Sequence, residues 1–229
     1  MKMIWFGHSC FRIETQASVI LIDPFLKGNP TFEKSSVSWE MATQNVTHVA
    51  LTHGHDDHIG DAAEICMKRN ATLFAVYELA VFLNNKGVKK YEPTNTGGTV
   101  CTEHFGVTFV EAVHSSSSNG IYLGNPCGIL LDIKGGKKVL HMGDTEIFSG
   151  MQLINEIHKP EIGLVPIGDR FTMGARTAAM ACRKFFSFQT IIPCHYGTFD
   201  IIAPNADHFI AEAKPLTVTV PKVGQVLDF

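Results

Sequence analysis

The sequence predicts an α/β fold, classed as α+β in some schemes, in which two mixed β-sheets pack face to face and helices cover the outside. Three observations indicate this architecture. Strand-like runs joined by short turns open the chain, units of strand and helix follow them, and this succession occurs a second time within the 229 residues. No charge block, low-complexity tract or Pro/Gly-rich linker separates the two halves. We therefore expect a single domain over residues 1–229, with its core drawn from the 45% of residues that are hydrophobic.

The first half begins as an antiparallel meander. Short apolar runs separated by polar turns are typical of paired strands, and they occupy residues 3–6, 10–14 and 18–22. Apolar residues at helical spacing then appear, and one such stretch ends at Gly87, which indicates a change to strand–helix units. The elements expected after the meander are a strand at 46–52, a helix at 61–69, a strand at 72–76 and a helix at 78–86.

The apolar residues within 26–42 follow neither a helical nor a strand spacing. The segment holds Phe32 and Trp39 among polar residues. A loop of this length either covers a functional site or is an ordinary surface excursion.

The second half repeats the order of the first. Gly135 and Gly136 are suited to a hairpin turn between two apolar runs. The expected strands of this meander lie at 100–105, 107–113, 128–134 and 138–142. After the meander we expect helices at 150–158, 175–186 and 206–214, and strands at 162–167, 190–194 and 216–220.

The composition excludes several classes of protein. With 19 basic and 22 acidic side chains, the net charge of -3 gives no general attraction to nucleic acid or to anionic lipid. No run is apolar enough to span a membrane, and the first residues do not resemble a secretory signal, so we expect a cytoplasmic protein. The six cysteines are scattered without a C-x-x-C pair, which favours buried free thiols over disulfides or a zinc knuckle.

The stretch HGHDDHIGD, residues 53–61, holds three histidines and three aspartates directly after a strand-like run. His53 and His55 are two residues apart, so in an extended segment both rings point to the same side and suit one metal ion. Asp57 and His58 follow where the chain must turn into a helix. That reversal can direct them toward a second ion beside the first.

Four strand-like runs each end in a candidate ligand: His53, His114, Asp144 and His195. In layered α/β proteins, sites form beyond the strand ends, so side chains distant in sequence can converge there. Imidazole nitrogens and carboxylate oxygens suit zinc, with manganese or iron as alternatives. The sequence thus predicts a site for two divalent metal ions.

Two further residues are candidates to support the ligands from behind. Asp23, in LIDPF, either orients a ligand imidazole or caps a turn before the proline. His141 lies three residues before Asp144 and is the histidine outside the ligand set that best suits a supporting role. The remaining isolated histidines are expected to be exposed or hydrogen-bonded.

His8 and Asp169 join Asp57 as candidate catalytic residues. His8, in GHSCF, lies at a strand end and either donates a proton or binds an anion in the metal pocket, or serves only in a turn. Asp169, in PIGDRFTMG, follows a strand and precedes a helix. It is either a pocket group or a helix cap.

Several of these stretches resemble the metallo-β-lactamase superfamily, above all THGHDDH, the isolated His114, the GDT that includes Asp144, and the late His195. More narrowly, GHSCFRIET, LIDPFLKGNP, PIGDRFTMG and PCHYGTF resemble a family of bacterial metal-dependent hydrolases within it. The resemblance implies a four-layer αββα sandwich. It also implies a first metal on His53, His55 and His114, a second on Asp57, His58 and His195, and a bridge through Asp144.

These features predict a dinuclear hydrolase that cleaves a small cytoplasmic ester, lactone, amide or phosphodiester with a metal-bound hydroxide. Two alternatives stay open: a nuclease-type phosphodiesterase acting on RNA, which the acidic net charge disfavours, and a non-hydrolytic redox or sensor protein. The expected partner is a small-molecule substrate, with no membrane and no nucleic acid. The sequence leaves the substrate-binding residues, the native metal and a homo-oligomer undecided.

Overall fold

The computed structural model describes residues 1–229 and contains two mixed β-sheets, with helices packed on them. The predicted αββα sandwich is confirmed by this arrangement. Buried hydrophobic side chains from both sheets form one cluster of 60 residues, so the sheets share their core. None of the helices is both long enough and apolar enough to cross a membrane.

The first sheet has seven strands and combines an antiparallel half with a parallel half. Its antiparallel strands are β1 (Lys2–Trp5), β2 (Phe11–Glu14), β3 (Val19–Ile22) and β15 (Val226–Asp228), in the order β15-β1-β2-β3. Its parallel strands continue from β3 with β4 (His48–Ala50), β5 (Thr72–Val76) and β6 (Tyr91–Thr94).

The second sheet has six strands and the same division. Its antiparallel strands are β7 (Thr99–Cys101), β8 (Phe105–Glu111), β11 (Cys127–Ile133) and β12 (Lys138–His141). Two strands parallel to β12 complete it, β13 (Ile162–Pro166) and β14 (Thr190–Cys194). A separate small hairpin pairs β9 (Ser117–Ser118) with β10 (Ile121–Tyr122).

Eight helices connect or cover these strands: α1 (Pro30–Glu33), α2 (Trp39–Thr43), α3 (Asp56–Ile59), α4 (Ala62–Arg69), α5 (Tyr77–Asn85), α6 (Met151–His158), α7 (Ala175–Phe185) and α8 (Asp207–Ala213). Parallel strands that are covered on both faces of the sheet consist of continuous apolar runs. β13 is an example, because all five of its residues are buried.

Two expected strands differ from the structure. The run at 100–105 is divided, because the Thr102 hydroxyl accepts hydrogen bonds from the backbone N–H groups of His104 and Phe105 and forms a turn between β7 and β8. The run at 216–220 forms no strand, and Val218 makes only an isolated bridge to Ile191. Four short strands were also missed by the sequence analysis: β6, β15 and the hairpin pair β9 and β10.

Residues 26–42 are more ordered than the sequence indicates. They contain α1, capped by the Asn29 side chain, and α2, capped by Ser38. Leu26 and Phe32 are buried, and the Phe32 ring packs edge-on against Phe6. The segment thus contains two short helices and packs partly against the core, and its role as a cover over a functional site stays a prediction.

Candidate metal centre

Chain segments that end in candidate ligands meet at one edge of the sandwich. In the second sheet, β12 and β14 run parallel to the intervening β13, so the segments that lead to Asp144 and His195 leave from the same edge. Two backbone hydrogen bonds bring the first sheet to this edge, from Cys127 N to Thr52 O (3.0 Å) and from His195 N to His8 O (3.0 Å). The two sheets are thus joined beside the candidate ligands.

Three histidines form the first group, and their inner ring nitrogens face one another. Nε2 of His53 lies 2.9 Å from Nδ1 of His55, which lies 3.3 Å from Nε2 of His114. Burial lowers the pKa of all three imidazoles, so they are neutral and can bind metal near pH 7. Tetrahedral ligands at zinc–nitrogen bond lengths would be about 3.3 Å apart. The spacing of these nitrogens therefore fits one metal ion.

Asp57, His58 and His195 form the second group. Asp57 Oδ2 lies 3.9 Å from Nε2 of each histidine. The buried Nε2 of His58 has no hydrogen-bond partner. Burial disfavours the charged form of His58, but three surrounding carboxylates outweigh burial and raise its pKa well above the ordinary value. The local field at this position thus favours a cation.

Asp144 lies between the two groups. Its Oδ2 is 3.0 Å from Nε2 of His195 and 3.3 Å from Nε2 of His58, both in the second group. The same oxygen is 3.7 Å from Nε2 of His114, in the first group. Burial favours the neutral acid, but His195 and His58 outweigh burial and hold the pKa of Asp144 well below its usual range.

The donor set passes a physical test for metal binding. Asp144 Oδ1 is buried without a hydrogen-bond partner, and so is Nε2 of His58. An ionised carboxylate oxygen buried without a partner is costly unless a cation lies near it. The ligand atoms of each group lie within 4.8 Å of one another. The residues present therefore fit divalent metal ions at both groups.

Asp23 lies behind both groups and is fully buried. Its carboxylate accepts hydrogen bonds from His58 Nδ1 (2.7 Å), Thr52 N (2.8 Å) and Thr52 Oγ1 (2.6 Å). Because the Thr52 hydroxyl donates to Asp23, it accepts from Nδ1 of His53 at 2.9 Å. Asp23 therefore fixes the tautomer of one imidazole in each group, with Nε2 left bare for a metal.

His141 supports Asp144 through the backbone. Its Nε2 donates to Ser9 O (3.0 Å), between β1 and β2, and its Nδ1 accepts from Gly143 N (3.0 Å), just after β12. Gly143 has φ +65°, and a Cβ at this position would lie 2.5 Å from Cys127 O. His141 and Gly143 thus set the turn that directs Asp144 inward.

The two remaining candidates of the sequence analysis lie in different surroundings. His8 is fully buried at the second group, with Nε2 3.0 Å from Asp57 Oδ2. Burial and the nearby His195 lower the pKa of His8 to about 4. Asp169 is exposed, and the N-cap position of α7 is held by Gly174 without a side-chain hydrogen bond, so the helix-cap interpretation of Asp169 is wrong. Asp169 lines a surface cavity outside both ligand groups.

The sequence analysis missed the serines that follow His114. Ser115 Oγ lies 3.3 Å from Nε2 of His55, and Ser118 Oγ donates to Asp56 Oδ1 at 2.6 Å. Ser116 Oγ accepts from Gly54 N at 2.9 Å. The signal was present in the sequence as four consecutive serines directly after a candidate ligand. They tie the first group to the segment that carries β9 and β10.

The chain matches a family model described as a beta-lactamase superfamily domain over residues 2–195. It is 52% identical over 237 residues to a UPF0173 metal-dependent hydrolase of Brucella anthropi, with 100% of both chains covered. It is 50% identical over 236 residues to another such hydrolase of Agrobacterium fabrum, again with 100% of both covered.

Among solved structures, the chain is similar to a metallo hydrolase from the hyperthermophilic archaeon Ignicoccus hospitalis. The sequence identity is 33% and the TM-score is 0.88, with 100% of this chain and 98% of that chain covered. The likeness thus extends over the whole chain.

We expect Asp23→Asn to weaken metal binding about 10-fold to 100-fold, as is typical when the partner of a ligand imidazole is lost. The amide removes the charge and one acceptor behind His53 and His58. Competition with a chromogenic chelator measures the affinity. Asp61→Asn is the matched control, because the Asp61 carboxylate accepts from the backbone of Leu26 and Lys27, lies 4.0 Å from Lys27 Nζ and contacts no candidate ligand. Equal affinity in wild type and Asp23→Asn would contradict this role.

Proposed function

We propose a reaction class from one premise: the chain belongs to the metallo-β-lactamase superfamily, as one of its metal-dependent hydrolases. Within that family, we propose that this hydrolase holds two divalent ions and cleaves a small ester, lactone, amide or phosphodiester. The observation that carries the dinuclear proposal is the position of Asp144 Oδ2. This single oxygen lies within 3.7 Å of histidine nitrogens from both ligand groups.

Seven residues would hold the two ions. His53, His55 and His114 face the first position, and Asp57, His58 and His195 face the second, with Asp144 between them. Five imidazoles and two carboxylates suit zinc, and manganese or iron also accept such a set. When bound, the ions would lower the pKa of a water molecule and polarise an oxygen of the substrate.

The side chains around the two metal positions set the net charge of the centre. An imidazole that binds a metal is neutral and contributes no charge, so only two carboxylates would offset the two divalent ions, and the centre would stay positive. A positive, partly enclosed centre stabilises a transition state that gathers negative charge on oxygen. Carboxylic esters, lactones, amides and phosphodiesters share this property. No serine or cysteine nucleophile is needed, and burial raises the pKa of the Cys194 thiol well above its ordinary value.

A cavity of about 610 Å³ lies beside the second group, between the segment after β13 and the start of α8. Gly168 packs this wall against His195, because a Cβ on Gly168 would lie 2.4 Å from His195 O. Ala203 N donates to Gly168 O (3.0 Å) and closes the wall. The volume is in the usual range for small-molecule sites. We therefore place the non-reacting part of a small substrate here.

The cavity wall is mixed in character. Half of its twelve lining residues are hydrophobic, among them Ile201 and Ile202, and Asp169 and Arg170 supply one negative and one positive charge. This lining suits a substrate with an apolar body and a polar end. A long RNA backbone would instead need a basic groove, and the net charge of the chain is -3.

The test of the reaction class is a panel of a chromogenic ester, a lactone, a phosphodiester and a structured RNA, each assayed with metal-loaded protein. We expect cleavage of at least one small substrate, loss of activity with a chelator, and recovery on adding zinc or manganese. Asp144→Asn should lose nearly all activity, whereas Asp132→Asn, the same change on the exposed side of β11, should retain it. Cleavage of RNA with the small substrates untouched would support the nuclease alternative.

The cavity assignment has its own test. Ile201→Trp adds volume to an exposed wall position, so it should raise KM about 10-fold or more for bulky substrates and leave kcat for a minimal substrate nearly unchanged. Ile157→Trp is the matched control, because Ile157 is an exposed isoleucine of α6 outside the cavity. An unchanged KM for every substrate in Ile201→Trp would show that the substrate binds elsewhere.

A further inference from the structure

The position of His8 is fixed from several sides. It precedes β2 and is fully buried, with φ +51° in the left-handed region. Its carbonyl oxygen accepts from Trp5 Nε1 (2.9 Å) and from His195 N (3.0 Å). Its ring lies 4.0 Å from the ring of His195 and edge-on to Phe199. A left-handed conformation is costly for histidine, so it persists only where the surroundings impose it.

The outer nitrogen of this ring is occupied. Nδ1 of His8 lies 3.0 Å from Thr198 Oγ1. The Thr198 hydroxyl can donate its proton to Tyr196 O at 3.3 Å and then accepts from Nδ1–H of His8. In this tautomer, Nε2 of His8 carries no proton and is a bare donor for a metal, as in the ligand histidines that Asp23 orients.

The inner nitrogen points at the metal-facing oxygen of Asp57. Nε2 of His8 is 3.0 Å from Asp57 Oδ2, the oxygen that faces His58 and His195. A residue that only supports a ligand contacts the atoms on its far side, as Asp23 contacts Nδ1 of His58. His8 instead meets Asp57 on the side where the ligand atoms converge, within 4.8 Å of the other donors of that group.

We propose that His8 binds the second metal ion through Nε2, as a ligand beyond the seven that the sequence indicates. The proposal rests on the metal-binding function proposed above. With His8, the second position has four donors besides the Asp144 bridge, whereas the first has three. The second ion would then have more protein ligands than the first, and the first would keep the position with fewer protein ligands for water.

The test is a long-range ¹H–¹⁵N spectrum of the histidine side chains in wild-type protein, recorded without metal and with zinc. We expect zinc to shift the His8 Nε2 resonance in the same direction as the ligand Nε2 of His53, with a proton on Nδ1 and none on Nε2. A proton on Nε2 of His8 in the zinc-loaded protein would overturn the proposal, because His8 would then donate a hydrogen bond to Asp57.

A second measurement uses variants. His8→Gln retains an amide that can donate to Asp57 but loses the imidazole Nε2, so we expect the affinity of one of the two metal sites to fall by at least the ~10-fold typical when the partner of a ligand imidazole is lost, although the hydrogen bond to Asp57 is kept. Thr198→Val removes the outer hydrogen bond and should have the smaller effect. Wild-type affinity at both sites in His8→Gln would contradict the proposal. If the wild-type chain binds a single ion, the dinuclear function fails, and the spectrum still reports separately whether His8 binds that ion.

Discussion

The structure depends on one electrostatic constraint, the burial of the Asp144 carboxylate between two groups of histidines. A buried ionised group needs a compensating charge, and one oxygen of Asp144 has no hydrogen-bond partner. Without metal, the raised pKa of His58 means that a proton supplies part of this charge. A metal ion would take the place of that proton. Metal binding is therefore coupled to proton release and weakens as the pH falls toward the range where the imidazoles charge.

The fold supports this charge cluster with contacts between the sheets. Hydrogen bonds from His195 N to His8 O and from His141 Nε2 to Ser9 O cross from the second sheet to the first beside the ligands. Asp23 and His195 also have positive φ, at +46° and +58°. Strained backbone of this kind is stored where the surroundings over-determine it, often at functional sites. The sandwich thus supplies the rigidity that a preorganised metal centre needs.

The sequence predicted that the candidate ligands at the strand ends would meet, because parallel strands share an edge and because closely spaced histidines and carboxylates have few other uses. It could not predict β6, β15 or the β9–β10 hairpin. These strands are short and largely exposed, so they carry no apolar alternation. The turn at Thr102 was missed because one hydroxyl, and no glycine or proline, interrupts an apolar run.

The surroundings of His8 could not be predicted for a different reason. Its partner Thr198 is 190 residues away in sequence, and its contact with Asp57 spans 49 residues. No local pattern encodes such contacts, whereas the four serines after His114 were a local signal that went unused. Asp169 shows the opposite error, since a strong N-cap propensity suggested a role that the chain gives to Gly174 without any side-chain bond.

The most direct measurement is the number of metal ions per chain, determined by elemental analysis after reconstitution and removal of free metal. Our account predicts two ions in the wild-type protein. It predicts one ion in His114→Ala, which removes a donor of the first group only, and one in His195→Ala, which removes a donor of the second. A wild-type protein that saturates at one ion would contradict the bridging position of Asp144 on which the account is built.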